Sequence, residues 1–130
     1  MKMLIVDDDF CNRRLLQKIM APYGEIDHAS DGVDAMAAFT MSLEEKDPYD
    51  LILLDIFMPD IDGLEALKMI RDLEVLNNVA PNKGVKIIMV TTSEKADHIM
   101  TAFRDGCESY INKPITKKGI LAEVLKLGLI

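Results

Sequence analysis

A chain of 130 residues makes one domain by ordinary size, long enough to bury a core without disulfide or metal staples. It is 49% hydrophobic with 5% aromatics and no tryptophan, so the core must be built from Leu, Ile, Val, Met and Ala. A formal charge of −7 argues against a nucleic-acid surface, which needs clustered Lys and Arg, and weakly against anionic membranes.

Met1-Lys2 runs directly into Met3-Leu4-Ile5-Val6, which predicts a short buried strand rather than a signal peptide. Asp7-Asp8-Asp9 follow, and the period becomes helical, with Cys11, Leu15, Leu16, Ile19 and Met20 on one face and Arg13, Arg14 and Lys18 facing away. Pro22 and Gly24 stop that helix. Residues 25–30 carry polar positions and predict an edge strand. Ser30 or Asp31 can cap the next helix, with Val33, Met36, Ala37 and Phe39 as its apolar face. Leu51-Ile52-Leu53-Leu54 is a third strand running into Asp55, then a loop with Pro59 and the turn pair Asp62-Gly63. Leu64, Leu67, Ile70 and Leu73 define a helix, and residues 77–84 a long polar connection. Residues 85–90 predict a fourth strand ending at Thr91, followed by a helical stripe of Ala96, Ile99, Met100 and Phe103. Residues 107–112 predict a fifth strand ending at Lys113-Pro114, and Ile120, Leu121, Val124 and Leu125 the last helix.

Five strands alternating with helices predict an α/β fold, a parallel sheet with helices on both faces. No linker, repeat or second domain is visible, and no apolar run approaches the ~20 residues that span a bilayer. Cys11 and Cys107 form no C-x-x-C pair, which fits a reducing, cytoplasmic setting with both thiols packed.

In a parallel sheet all strand C-termini share one edge, so Asp7, Asp8, Asp55, Thr91 and Lys113 converge there. Two carboxylates ~4 Å apart repel by about 4 kcal/mol at an effective dielectric of ~20. One lysine cannot offset three acids, but a hard divalent cation can, Mg²⁺ or a relative such as Mn²⁺. The set predicts a metal-assisted phosphoryl site with a carboxylate nucleophile, Thr91 and Lys113 holding phosphoryl oxygens. Each residue alone has a plainer reading: an Asp as turn former, an acidic run as a helix N-terminus, a Thr bonded to backbone, a solvated Lys.

The motifs Leu4-Ile5-Val6-Asp7-Asp8, Leu54-Asp55-Ile56-Phe57-Met58-Pro59, Asp62-Gly63, Val90-Thr91 and Lys113-Pro114 resemble, in this order and over nearly the whole chain, the receiver domain of two-component response regulators. The resemblance implies a flavodoxin-like sheet of order 2-1-3-4-5 and a single receiver domain over residues 1–130, stand-alone and chemotaxis-type, with no output domain. It implies that Asp55 is the phosphoacceptor, taking phosphoryl from a phosphohistidine of a sensor histidine kinase or phosphotransfer protein. Asp8, Asp55 and the Phe57 backbone carbonyl match direct Mg²⁺ ligands, and Asp7 the acid that holds metal-bound water, with the register among the three successive acids set by placing Asp7 after Val6. Thr91 matches the switch hydroxyl, Lys113 the ammonium that pairs with the phosphoryl group, Tyr110 the aromatic that turns inward on activation, and Lys113-Pro114 a cis peptide. Such a protein is a switch rather than an enzyme, catalysing only its own phosphoryl transfer and dephosphorylation. It acts on a downstream protein, as a monomer or an activation-linked dimer, with no nucleic acid and no membrane insertion.

Two positions depart from the family pattern. The connection over residues 77–84 is long, implying a longer helix or a partner-specific loop, and Phe57 sits where the family is often polar, implying slow self-dephosphorylation. Lys95, His98, Arg104, Lys117 and Lys118 are candidate output-surface residues, and Arg13 and Arg14 candidate kinase contacts; each also reads as a solvated helix face. Two rivals remain. Asp7-x-Asp9 faintly resembles the D-x-D motif of haloacid-dehalogenase-like phosphohydrolases, though Phe10 is foreign to it, and a receiver fold can serve as an unphosphorylated scaffold.

Overall fold

The strands form from segments too short for a buried helix, wholly or mostly apolar in three cases and half polar over residues 25–29 and 109–112. In the computed structural model, which describes residues 1–130, they are β1 (Lys2–Val6), β2 (Glu25–Ala29), β3 (Leu51–Leu54), β4 (Lys86–Thr91) and β5 (Ser109–Asn112). All neighbours pair in parallel, in the order β2-β1-β3-β4-β5, the flavodoxin-like order that the family resemblance implied. The helices are α1 (Phe10–Met20), α2 (Gly32–Glu44), α3 (Gly63–Leu76), α4 (Ala96–Arg104) and α5 (Lys117–Lys126), with a 3₁₀ turn at Ala21–Tyr23. Four helix starts are capped by a side chain in the preceding loop: Asp9, Asp31, Asp62 and Thr116 each accept from an amide two or three residues on.

Strand side chains alternate between two cores. Met3, Ile5, Leu51, Leu53, Ile88 and Val90 meet Leu16, Ile19 and Met20 of α1 and Ile120 and Val124 of α5. Leu4, Val6, Ile52, Leu54, Ile87 and Met89 meet Phe39 of α2, Leu67 and Ile70 of α3 and Ala102 of α4. Truncating a fully buried residue such as Leu67 to Ala would cost ~2–5 kcal/mol. Both sheet faces are therefore covered, and the strand tips are the exposed edge where polar chemistry is left.

Several expected core positions lie elsewhere. Cys11 and Leu15 are exposed, because the first turns of α1 stand outside the packed face that Leu16, Ile19 and Met20 make. In α2, Val33 and Ala37 are exposed, and Ala35 and Phe39 face the sheet instead. The stripe on α4 is turned outward: Ala96, Met100 and Phe103 are exposed, while Ala102 is buried and His98 and Ile99 half-buried, about one residue round the helix. Leu125 is exposed as well. The long connection is a loop, not a longer helix. Asn77 closes α3 by returning its side-chain amide to the Leu73 carbonyl, and residues 80–83 form a turn. No helix is long and apolar enough to cross a membrane.

Candidate functional site

Register brings the site together. Val6 pairs with Leu54, so Asp7 and Asp55 leave the sheet side by side, and Thr91 pairs with Asn112, which precedes Lys113. Backbone bonds carry the ladder past the strands, from Asp55 N to Val6 O (3.0 Å) and from Lys113 N to Thr91 O (2.9 Å). Gly63 allows the last approach: α3 begins so close to Asp55 that a Cβ there would collide with the Asp55 carbonyl.

Asp7, Asp55 and Thr91 are buried, and Asp8 is exposed. Lys113 Nζ donates to Asp7 Oδ2 (2.8 Å) and Asp55 Oδ2 (2.9 Å). Burial pushes the Asp7 carboxyl above the usual carboxylate range, against the opposing pull of Lys113 and the Asp9 amide. Burial works against the Lys113 ammonium too, but its bonds to Asp7 and Asp55 outweigh that and raise it above the ordinary lysine value. Ligand oxygens of Asp7, Asp8 and Asp55 lie within 4.8 Å of one another. An all-oxygen donor set with one ammonium against three acids fits a hard divalent cation.

The acidic run divides its labour. Asp9 is turned away to cap α1, taking the Cys11 amide at 2.8 Å, so it does not join the carboxylate group. Phe57 donates its amide to Asp55 Oδ1 (3.3 Å) and stands half-exposed at the mouth. Beside it opens a cleft of ≈ 430 Å³ whose walls include Asp8, Phe57 and His98. Another cleft, of ≈ 320 Å³, lies away from the carboxylates, near Tyr49, Glu74 and Lys83.

Thr91 Oγ1 accepts from the Ser93 amide at 3.3 Å. Tyr110 is half-buried, and its hydroxyl donates to the Ser93 carbonyl at 2.8 Å, as does Asn112 Nδ2. The Lys113-Pro114 peptide is cis, as the motif implied. Among the proposed surface residues Lys95, Arg104, Lys117 and Lys118 are exposed, whereas His98 is half-buried against Ser93 and Phe57. Arg14 is exposed, but Arg13 is half-buried and donates to the Asp7 carbonyl, so it does not simply face solvent. The sequence marks Ser93 and Asn112 only by position, at or just beyond the ends of β4 and β5, and it offers His98 as an output-surface residue rather than a neighbour of the site.

A family model described as the response regulator receiver domain matches residues 3–125. The chain is 34% identical over 121 residues to the chemotaxis protein CheY of Halobacterium salinarum, covering 92% of this chain and 90% of that protein. It is 35% identical over 126 residues to hybrid signal transduction histidine kinase L of Dictyostelium discoideum, covering 96% of this chain but spanning only 7% of the kinase's length. Among solved structures, a chain of the CheX-CheY-BeF3-Mg²⁺ complex from Borrelia burgdorferi aligns with a TM-score of 0.84 at 26% identity, covering 98% of this chain and 88% of that one.

Proposed function

The chain belongs to the response regulator receiver domain family of two-component signalling, and we propose that it is a switch thrown by phosphorylation of Asp55. The donor is a phosphohistidine on a sensor histidine kinase or phosphotransfer protein. An Asp55 carboxylate oxygen bonds to phosphorus as the phosphorus–imidazole bond breaks, and the freed imidazole takes up a proton. The observation that carries the reading is the Lys113 ammonium held between two buried carboxylates, one of them Asp55, at the edge where the strands end.

Asp8, Asp55 and the Phe57 carbonyl would hold Mg²⁺ (Mn²⁺ is a second candidate), with Asp7 acting through water. A cation held by these residues would supply charge neutralisation for the phosphoryl oxygens. Lys113 exchanges a carboxylate oxygen for a phosphoryl oxygen, a role supported by its ion pairs with Asp7 and Asp55. The Thr91 hydroxyl, now accepting from the Ser93 amide, turns to the phosphoryl group and loosens the loop that Tyr110 and Asn112 hold at the Ser93 carbonyl. That shifts the population of the α4–β5–α5 face. Exposed Met100 and Phe103 with Lys95, Arg104, Lys117 and Lys118 give the downstream protein an apolar strip edged by cations. The kinase meets α1 near Arg14. Residues 1–130 act as one receiver unit in the cytoplasm, monomeric or dimerising on activation.

Acetyl phosphate with Mg²⁺, followed by intact mass, tests the reading. Wild type gains about 80 Da, one phosphoryl group on a single carboxylate nucleophile. An equal gain in Asp55→Ala would sink the assignment.

A further inference from the structure

Helix α4 reaches the mouth of the site through one side chain. His98 Nδ1 lies 2.6 Å from Ser93 Oγ, and the His98 ring meets Phe57 edge-on, with centroids 6.0 Å apart and planes at 63°. Phe57 in turn donates its amide to Asp55 Oδ1, and the Ser93 amide donates to Thr91 Oγ1, each at 3.3 Å. The contacts form a continuous path, Asp55 to Phe57 to His98 to Ser93 to Thr91, and two of its members, Phe57 and His98, line a cleft together with Asp8. Ser93 is its anchored member: it is buried, and its carbonyl takes both Tyr110 and Asn112. Phe57 is its loose member, a residue 49% exposed with His98 as its aromatic neighbour.

We propose that His98 is a positioning residue that holds the Phe57 ring across the cleft beside Asp55 and so slows hydrolysis of the aspartyl phosphate. The inference rests on Asp55 being the phosphoacceptor. Hydrolysis joins a water oxygen to phosphorus and breaks the bond from phosphorus to the Asp55 oxygen. It returns the carboxylate and inorganic phosphate, and water is the only co-reactant. Water that approaches Asp55 past Phe57 meets that ring, and a half-exposed ring is free to change rotamer unless a neighbour holds it. An edge-to-face pair supplies that hold, and Ser93 fixes the imidazole by its Nδ1 so that the edge is presented. Because His98 rides on α4, a ligand that displaces α4 also opens this gate, which ties the phosphoryl lifetime to the output face.

The test follows decay of the acyl phosphate by intact mass in the presence of Mg²⁺, on protein loaded from acetyl phosphate and then freed of it. His98→Ala is expected to decay about fivefold faster, the population change that loss of one edge-to-face pair brings. His98→Gln, which keeps a polar partner for Ser93 without a ring, decays equally fast. His98→Phe, which keeps a ring against Phe57 but loses the bond to Ser93, restores slow decay only in part. In a Phe57→Ala background His98→Ala has no further effect, an outcome a merely structural role would not produce. Decay of His98→Ala at the wild-type rate, or an undiminished effect without Phe57, overturns the inference while leaving the switch intact. Failure of wild type to take up phosphoryl overturns the switch itself, and the inference with it.

Discussion

The Lys113 ammonium stands 2.9 Å from the Asp55 carboxylate although 58 residues of chain separate them. The same nitrogen reaches Asp7, so one cation serves two buried anions. The site is thus held together by charge balance as much as by packing, and it is short of positive charge.

Removing that cation exposes the imbalance. Lys113→Ala should lose ~2–3 kcal/mol in urea denaturation without divalent ions, below the full cost of orphaning a buried charge because Asp8 and the cleft admit water. Mg²⁺ should then stabilise Lys113→Ala more than it stabilises wild type, since the variant has an uncompensated carboxylate to offer. In Asp8→Asn the Mg²⁺-dependent rise in melting temperature should largely disappear, because binding to the native state is the source of that rise. Equal Mg²⁺ shifts in all three proteins would show that these residues do not share one site.

Arg71 is the second polar hub. Its guanidinium reaches Glu74 (2.6 Å), Glu108 (3.0 Å) and the Gly106 carbonyl (2.7 Å), tying α3 to the turn before β5. Each glutamate also accepts a β4-side amide, Val85 N at 2.7 Å for Glu74 and Ile87 N at 2.6 Å for Glu108. Arg71→Met keeps the stem and removes the charge. We expect a loss of ~2–3 kcal/mol with an unchanged urea m-value, discounted from a fully buried pair because the guanidinium is partly solvated. A change below ~0.5 kcal/mol would reduce the hub to a surface ion pair.

Tyr49 sets an alkaline limit. Burial, then its bond to Asp27 Oδ2 (2.6 Å), pushes the phenol far above its ordinary value of 10.0. Above about pH 10 the unfolded chain gives up this proton while the native protein keeps it, so stability falls as pH rises. Tyr49→Phe is expected to be less stable at neutral pH, yet to lose less stability between about pH 9 and 11. Parallel curves for the two proteins would rule out Tyr49 as the source.

The two thiols should behave oppositely. Cys11 is exposed, whereas Cys107 is buried and its thiol is pushed up to about 12 by that burial. An aromatic disulfide reagent at neutral pH is expected to titrate one thiol rapidly in the native protein and the second only after denaturation. Cys11→Ser should abolish the fast phase.

Leu51-Ile52-Leu53-Leu54 and its counterparts name their strands without help, because an unbroken apolar run that short has no other way to be buried. Parallel pairing then sends Asp7, Asp55, Thr91 and Lys113 to one edge whatever the packing details, so the candidate site was legible before any contact was known. Periodicity served less well on α4. The line of Ala96, Met100 and Phe103 repeats as a buried face would, but a repeat records that a helix has an apolar side, not that the sheet covers it. The tertiary structure alone decided that Ala102 and His98 face inward, that Arg13 turns to the Asp7 carbonyl, and that Asp9 caps a helix while Asp7 takes Lys113. The same holds for Arg71 with Glu108 and for His98 with Phe57, which are far apart in sequence. Local patterns specify which residues want burial or a cap; which distant partner satisfies a charge is settled only when the whole chain has packed.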